Sequence, residues 1–218
     1  MIQLLNKKLL LLLLLIMSVG LHSQNIENIY IHMPDRLNPT TTAKIRMEML
    51  EYHKAGQGDT IQNRFGGKAY LQVFDTLNNR IVVKNTATST FEMKLLTVEG
   101  IPAIGVIRSV CSPICQSVTE FYDTAWNKIP VQFTMPKAID WLDKNKLDSV
   151  VGLDKRWVQK VLENNFISLS FDAATACIIA TNNSEDFLSE ADRKVIQPLL
   201  RDNSIVFRLE GKRWVKKP

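Results

Sequence analysis

Three cysteines carry the most distinctive chemistry in this sequence. Cys111 and Cys115 bracket a three-residue turn between two strand-like segments, so they can lie opposite each other at a distance that permits a disulfide. So small a loop would stabilise the chain by roughly 2 kcal/mol. Redox-active pairs usually have two intervening residues and a helix start nearby, so a structural or unpaired role is favoured. Cys177 lies in an apolar segment and is expected to be a buried, inert thiol.

Metal and acid–base chemistry have little support. Beyond the first 23 residues only His32 and His53 remain, and neither has a ligand spacing with Cys, Asp or Glu. Carboxylates occur in three pairs: Glu48/Glu51, Asp140/Asp143 and Glu185/Asp186. The first two pairs are one helical turn apart, which is typical of solvated helix faces and helix starts. Nucleophile-elbow, phosphate-loop and dinucleotide motifs are absent from the sequence. We therefore assign no catalytic residue, no metal ligand and no cofactor.

Aromatic side chains give the candidate partner-binding residues. Tyr122, Asp123 and Trp126 follow the last strand of the first half, where the chain leaves the sheet. The rings can fill the seam between two halves or, if partly exposed beside Asp123, form an anchor with a polar rim. Trp214 lies in a basic tail, which either contacts an acidic glycan or membrane surface or forms a final strand with solvated charges.

A run of short strands must position these residues. Alternating or apolar segments bounded by turn residues predict five strands in succession: Tyr70–Phe74, Ile81–Val83, Phe91–Leu95, Ile104–Val110 and Val118–Tyr122. The intervals leave no room for crossover helices, so the sheet should be antiparallel.

The elements around this sheet are mostly helical. Residues 24–38 read as an edge strand or an extended arm. A helix capped by Thr40 or Thr41 follows and ends at Gly56, and Thr60–Phe65 reads as a helical turn. An irregular connection over Thr124–Met135 leads to a helix over Pro136–Asn145 and a helix capped by Asp154. Strands follow at Phe166–Asp172 and Cys177–Ala180. The last elements are a helix opened by Ser189 and Asp192, with Val195, Ile196 and Leu199 on its inner face, and a hairpin around Glu210 and Gly211.

The fold class is α+β, with antiparallel sheet and helices packed on one face. The two halves, 24–130 and 131–218, are predicted to be related, and they could also form one continuous domain. Matching residues recur at one common offset along the chain: Phe74-Asp75 with Phe171-Asp172, Ile81 with Ile178, Val82 with Ile179, and Asn85 with Asn182.

The first 23 residues are typical of a secretory signal peptide. Lys7 and Lys8 precede the apolar run Leu9–Met17, which is shorter than the about 20 residues that span a bilayer. Cleavage after Ser23 would leave an exported protein, soluble in the periplasm or secreted, without a stable membrane span; the alternative is a retained anchor. The formal net charge of +5 is mild and does not favour nucleic acid.

Scattered positions carry a family resemblance. They are Met33-Pro34-Asp35, Gln116-Ser117, Phe121-Tyr122-Asp123, Trp126, Leu188-Ser189, Asp192-Arg193-Lys194 and Pro198-Leu199-Leu200. Through them the chain resembles an exported family of unknown function from Gram-negative anaerobes of the Bacteroidales, domain-of-unknown-function family 3256. The resemblance implies export and a domain that fills the mature chain, and it brings no activity and no catalytic residues.

Two functional hypotheses follow. The first is a non-catalytic periplasmic or secreted module that binds a protein or glycan of the cell envelope. The alternative is a carboxylate-dependent hydrolase that acts in the envelope. A deep cleft that holds two facing carboxylates would favour the enzyme, and a surface patch of aromatic side chains without convergent polar groups would favour binding.

Overall fold

The computed structural model describes residues 25–163 and 166–217, so the predicted signal segment lies outside the described residues. Within those ranges two antiparallel sheets of six and four strands combine with five α-helices and short 3-10 turns. The α-helices are α1 Ile26–Ile31, α2 Ala43–Lys54, α3 Lys144–Ser149, α4 Lys155–Leu162 and α5 Glu190–Ile196. The predicted α+β class is confirmed.

The first sheet is a six-stranded meander in which each strand pairs with the next. Its strands are β1 Thr60–Gln62, β2 Lys68–Asp75, β3 Arg80–Lys84, β4 Ser89–Val98, β5 Ile101–Cys111 and β6 Cys115–Tyr122. The antiparallel prediction is therefore confirmed. The helical turn predicted over Thr60–Phe65 is wrong, because Thr60–Gln62 forms β1. The Asn63 side chain accepts hydrogen bonds from the amides of Phe65 (2.9 Å) and Gly67 (3.1 Å) and so turns the chain straight into β2.

The N-terminal segment is helical, so the predicted edge strand or extended arm is wrong. Asn25 caps α1 by accepting from the Glu27 amide at 3.0 Å, and Ile26, Ile29 and Tyr30 are buried at helical spacing. They pack with α2 against one face of the first sheet and form a first core.

The predicted cap of α2 is also wrong. The helix begins at Ala43, after Thr42, and the Thr42 side chain makes no capping bond. The carboxylate of Asp35 accepts from the Ala43 amide at 2.9 Å instead. A residue eight positions upstream therefore does what the adjacent threonines were expected to do.

The second sheet has the order β10-β9-β8-β7, with β7 Ile167–Phe171, β8 Cys177–Asn182, β9 Ser204–Glu210 and β10 Arg213–Lys216. Asp154 caps α4, and Ser189 opens α5 with Asp192, both as predicted. The helix predicted over Pro136–Asn145 is split into a 3-10 turn, Ala138–Trp141, and α3. Val195, which was predicted to face inward, is exposed, and so is Ile139 of the 3-10 turn.

Strand β7 crosses the face of the first sheet from β6 to β4, and side chains of that sheet bind its edge. Ser117 Oγ accepts from Leu169 N (2.9 Å), Glu92 Oε1 accepts from Phe171 N (3.0 Å), and Lys94 Nζ donates to the carbonyls of Asp172 and Ala173 (2.8 Å each). An edge strand that would otherwise expose unpaired amides is thereby closed. Burial raises the pKa of Glu92, which also accepts from Arg80 Nε at 2.7 Å.

The second core lies between the two sheets and under α4 and α5. It contains Leu96, Ile107 and Phe121 of the first sheet together with residues of the second half. No helix among the residues that the structure describes is long and apolar enough to cross a membrane.

The β2–β3 and β7–β8 hairpins share register as well as sequence. Phe74 pairs with Ile81, and Phe171 pairs with Ile178. Asp75 and Asp172 each accept from the amide three residues later, at 2.9 Å and 2.7 Å. The relation between the two complete halves stays a prediction.

Gly105 permits the contact between the sheets. A Cβ at this position would lie 2.5 Å from Phe171 Cζ and 2.9 Å from Leu96 Cδ1. We expect Gly105→Ala to lower the free energy of unfolding by about 1–3 kcal/mol through overpacking, measured by chemical denaturation. The double variant Gly105→Ala/Phe171→Leu should lose less stability than the sum of the losses of the two single variants. An unchanged midpoint for Gly105→Ala would contradict the close approach.

Candidate functional site

An open cleft of about 620 Å³ lies between the 3-10 turn Asp35–Leu37, the strands β5 and β6, and the loop after β6. Its charged lining consists of Arg36, Arg108, Glu120 and Lys128, and we call it the basic cleft. Three cations face one carboxylate, so the lining carries an excess of positive charge.

Glu120 is the centre of the basic cleft. Its carboxylate accepts from Lys128 Nζ at 2.8 Å and from the Tyr122 hydroxyl at 2.9 Å, and it pairs with Arg108. The hydrogen bond from Lys128 is the largest cause that lowers the pKa of Glu120, to about 2. The same bond raises the pKa of Lys128. Glu120 is therefore ionised at neutral pH and unsuited to donate a proton.

The two arginines are held differently. Arg108 Nη1 donates to the Leu37 carbonyl at 3.4 Å, which links the 3-10 turn to β5. The side chain of Arg36 is exposed, and among the described residues it makes no hydrogen bond or ion pair. Arg36 is thus a cation of the cleft that is not committed to an internal partner.

The loop that closes one side of the cleft is organised by Asp123. Its Oδ1 accepts from the amides of Ala125 (2.9 Å) and Asn127 (2.8 Å), and its Oδ2 accepts from Asn127 Nδ2 at 3.0 Å. The side-chain bond from Asn127 is the largest cause that lowers the pKa of Asp123. Asp123 shapes this loop, which holds Trp126 at a φ of +66°.

Of the two alternatives for the aromatic residues, the exposed anchor is not observed. Tyr122 and Trp126 are 4% and 6% exposed, with ring centroids 5.7 Å apart, and they pack in the first core. The ring that fills the seam between the halves is Phe121, stacked at 5.7 Å on Trp214, which is also buried. Of the predicted residues, Tyr122 and Trp126 line the cleft.

Sequence reasoning did not single out the charged lining of the cleft. Arg108 and Glu120 face the same way because Arg108 pairs with Val118 and Val106 pairs with Glu120. A lone arginine in the apolar segment Ile104–Val110 is the signal that could have marked the site. Arg36 and Lys128 join through tertiary structure alone.

The remaining chemical candidates have structural positions. A disulfide joins Cys111 to Cys115 at the end of the β5–β6 hairpin, while Cys177 is buried and free. His53 binds the carboxylate of Asp59 at 2.6 Å.

The carboxylate pairs do not converge. Asp140 accepts from the Lys137 amide at 2.8 Å, Asp143 caps α3, and Glu48 pairs with Lys44. In the described ranges no group of three or more His, Cys, Asp and Glu side chains could hold a metal ion.

Glu120 should make stability depend on pH in the acidic range. Its folded-state pKa lies below the ordinary value of 4.5, so the carboxylate stabilises the fold above pH 4.5 and this contribution disappears as pH falls towards 2. We expect Glu120→Gln to cost about 1–2 kcal/mol at pH 7, allowing for solvent screening, and roughly a quarter of that near pH 2.5. Urea denaturation at the two pH values measures this. An equal cost at both would assign the effect to packing.

Comparison with known proteins gives a family and a fold. A family model described as "Protein of unknown function (DUF3256)" matches residues 18–214. Among solved structures, the chain is similar to a domain of an uncharacterized protein from Porphyromonas gingivalis W83, with a TM-score of 0.73 and 17% sequence identity. The match covers 88% of this chain and 98% of that chain, and at this identity it shows the fold alone. No curated protein matches the chain.

Proposed function

Because this chain belongs to the DUF3256 family of proteins of unknown function, we propose its role from the basic cleft: a non-catalytic module that binds an anionic group of a cell-envelope protein or glycan. The observation that carries the proposal is the cluster of Arg36, Arg108 and Lys128 around the single carboxylate of Glu120. Within the described part of the chain Arg36 has no partner, so an incoming anion meets this free cation and two further cations within the same opening.

The network also explains why the cleft stays preformed. Glu120 holds Arg108 and Lys128 in place, so their charges are positioned before a ligand arrives and little side-chain entropy is lost on binding. The excess of positive charge additionally attracts anionic partners over a distance of about a Debye length.

The hydrolase alternative has no supporting observation in this cleft. Glycoside hydrolysis needs two carboxyl groups that face each other, one of them with a raised pKa. The carboxylate in the described lining is Glu120, and its pKa is lowered.

We also propose that the protein is exported to the periplasm or secreted. The charge and apolar pattern of the first 23 residues supports this, and so does the Cys111–Cys115 disulfide, because such bonds persist in oxidising compartments.

Charge reversal at Arg36 tests the proposed function. We expect at least one of two anionic probes, oligogalacturonate or a glutamate-rich peptide, to bind at low ionic strength in isothermal titration. Arg36→Glu should weaken that binding about tenfold or more, and added salt should weaken it further. Lys160→Glu on α4 is the matched control, since it makes the same charge change at an exposed site away from the cleft. Failure of both probes to bind, or an equal loss in the control, would reject the proposal.

A further inference from the structure

The geometry points to a protein segment as the ligand of the basic cleft: an extended acidic peptide that places a carboxylate among the cations and an aliphatic side chain on the neighbouring strand surface. This inference rests on the proposed function and narrows its ligand class. It is carried by a feature next to the cleft, two exposed valines on the same face of the sheet.

Val110 and Val118 form an apolar surface beside the cations. They are 56% and 54% exposed, although they lie within the β5–β6 pair. Val118 is directly opposite Arg108 and Val110 is opposite Gln116, so both valines share the face on which Arg108 and Glu120 lie. We call these two residues the valine surface. The disulfide at Cys111 and Cys115 fixes this end of the hairpin.

The spacing of the valine surface and the cations fits an extended peptide. Val118 precedes Glu120 by two residues and Val110 follows Arg108 by two, which corresponds to about 7 Å along a strand. An extended chain that lies along β6 repeats its own side chains on one side at the same interval. A residue pair i and i+2, one acidic and one aliphatic, can therefore contact the cations and the valine surface together.

The same surface is poorly suited to a sugar chain. Recognition of sugar rings uses exposed aromatic faces, against which the apolar faces of the rings pack. The aromatic rings of the cleft lining, Tyr122 and Trp126, are buried and pack against each other with their planes tilted by 54°. Branched aliphatic side chains beside positive charge instead complement the alternating chemistry of an acidic strand.

Two valine variants make the inference testable on the intact protein. Val118→Asp places a like charge where the peptide's aliphatic residue and neighbouring carboxylates would lie. Val151→Asp is the matched control, because Val151 is 97% exposed and lies outside the cleft lining. The probes are an end-capped octapeptide of sequence VSESVSES, in which valine and glutamate alternate on one side of the extended chain, its glutamine counterpart VSQSVSQS, and hexagalacturonate, each titrated at low ionic strength.

We expect the glutamate peptide to bind and the glutamine peptide and hexagalacturonate to bind at least about tenfold more weakly. Val118→Asp and Arg36→Glu should each weaken glutamate-peptide binding about tenfold, while Val151→Asp and Lys160→Glu should not. Hexagalacturonate binding without peptide binding overturns this inference and leaves the proposed function standing. Equal binding of the glutamate peptide by Val118→Asp and by the wild-type chain also overturns this inference. If none of the three probes binds, both proposals are overturned. Should Val118→Asp fail to fold by circular dichroism, Val110→Asp answers the same question.

Discussion

Replacing Arg46 by methionine should lower the free energy of unfolding by about 3–5 kcal/mol, as removal of one partner from a buried charged network does. The Arg46 side chain is 0% exposed. Its Nη1 donates to the Thr41 carbonyl at 2.5 Å, and its Nη2 donates to the carbonyls of Ile31 (3.0 Å) and Met33. The carboxylate of Asp35 lies 3.1 Å from Nη1. Methionine fills much of the same volume but removes the donor of the three carbonyl oxygens and the charge partner of Asp35.

The oxygens that Arg46 binds explain why the loss should be large. Ile31 is the last residue of α1, and Met33 follows it, so the guanidinium takes carbonyls that the helix itself cannot satisfy. It also lies 5.8 Å from the centroid of the Tyr30 ring, within range of a cation–π contact. Arg46 therefore attaches the whole N-terminal helix to α2 and the first core.

Chemical denaturation measures the effect, with a control on the same helix. Lys44→Met removes a charge from an exposed side chain that forms an ion pair with Glu48, and it should change the free energy of unfolding by no more than about 0.5 kcal/mol. Arg46→Lys keeps the charge but loses the planar guanidinium group, so its loss of stability should lie between those of Arg46→Met and Lys44→Met. Similar losses for Arg46→Met and Lys44→Met would contradict the anchoring role.

The same residue shows why part of the fold was not predictable from sequence. Local sequence patterns predict the strands of the meander, as the alternation in Phe91–Leu95 does. Asp154 and Ser189 likewise indicate the starts of their helices, because their side chains cap them. The six residues of α1 are too few to form a stable helix alone, and the alternation of Ile29, Ile31 and Met33 resembles that of a strand. Tertiary contacts from Arg46 decide the conformation there.

The basic cleft was hidden for a related reason. Its charged residues come from the 3-10 turn, β5, β6 and the following loop, and charged side chains at such positions are ordinarily solvated. The aromatic residues of the region were visible in the sequence, but whether Tyr122 and Trp126 are buried depends on how α1 and the loop pack over the sheet. The sequence therefore predicted where these aromatic residues lie along the chain, but not whether their side chains are exposed.

Trp126 gives the sharpest test of that distinction. Its ring is buried against Tyr122, so Trp126→Ala should cost about 3–5 kcal/mol, as truncation of a buried aromatic does. Its backbone, however, has a φ of +66°, a region in which an alanine Cβ costs roughly 1–2 kcal/mol and glycine none.

We therefore expect Trp126→Gly to be more stable than Trp126→Ala by about 1 kcal/mol, the reverse of the usual order. Thermal and urea denaturation of both variants measure the difference. The control position is Lys160 in α4. There the alanine variant should be more stable than the glycine variant by about 1 kcal/mol, because the backbone is helical. If the alanine variant is more stable than the glycine variant at both positions, residue 126 does not have the left-handed conformation. If neither Trp126 variant loses stability, the ring is not part of the core, and its contribution belongs to partner binding at the cleft.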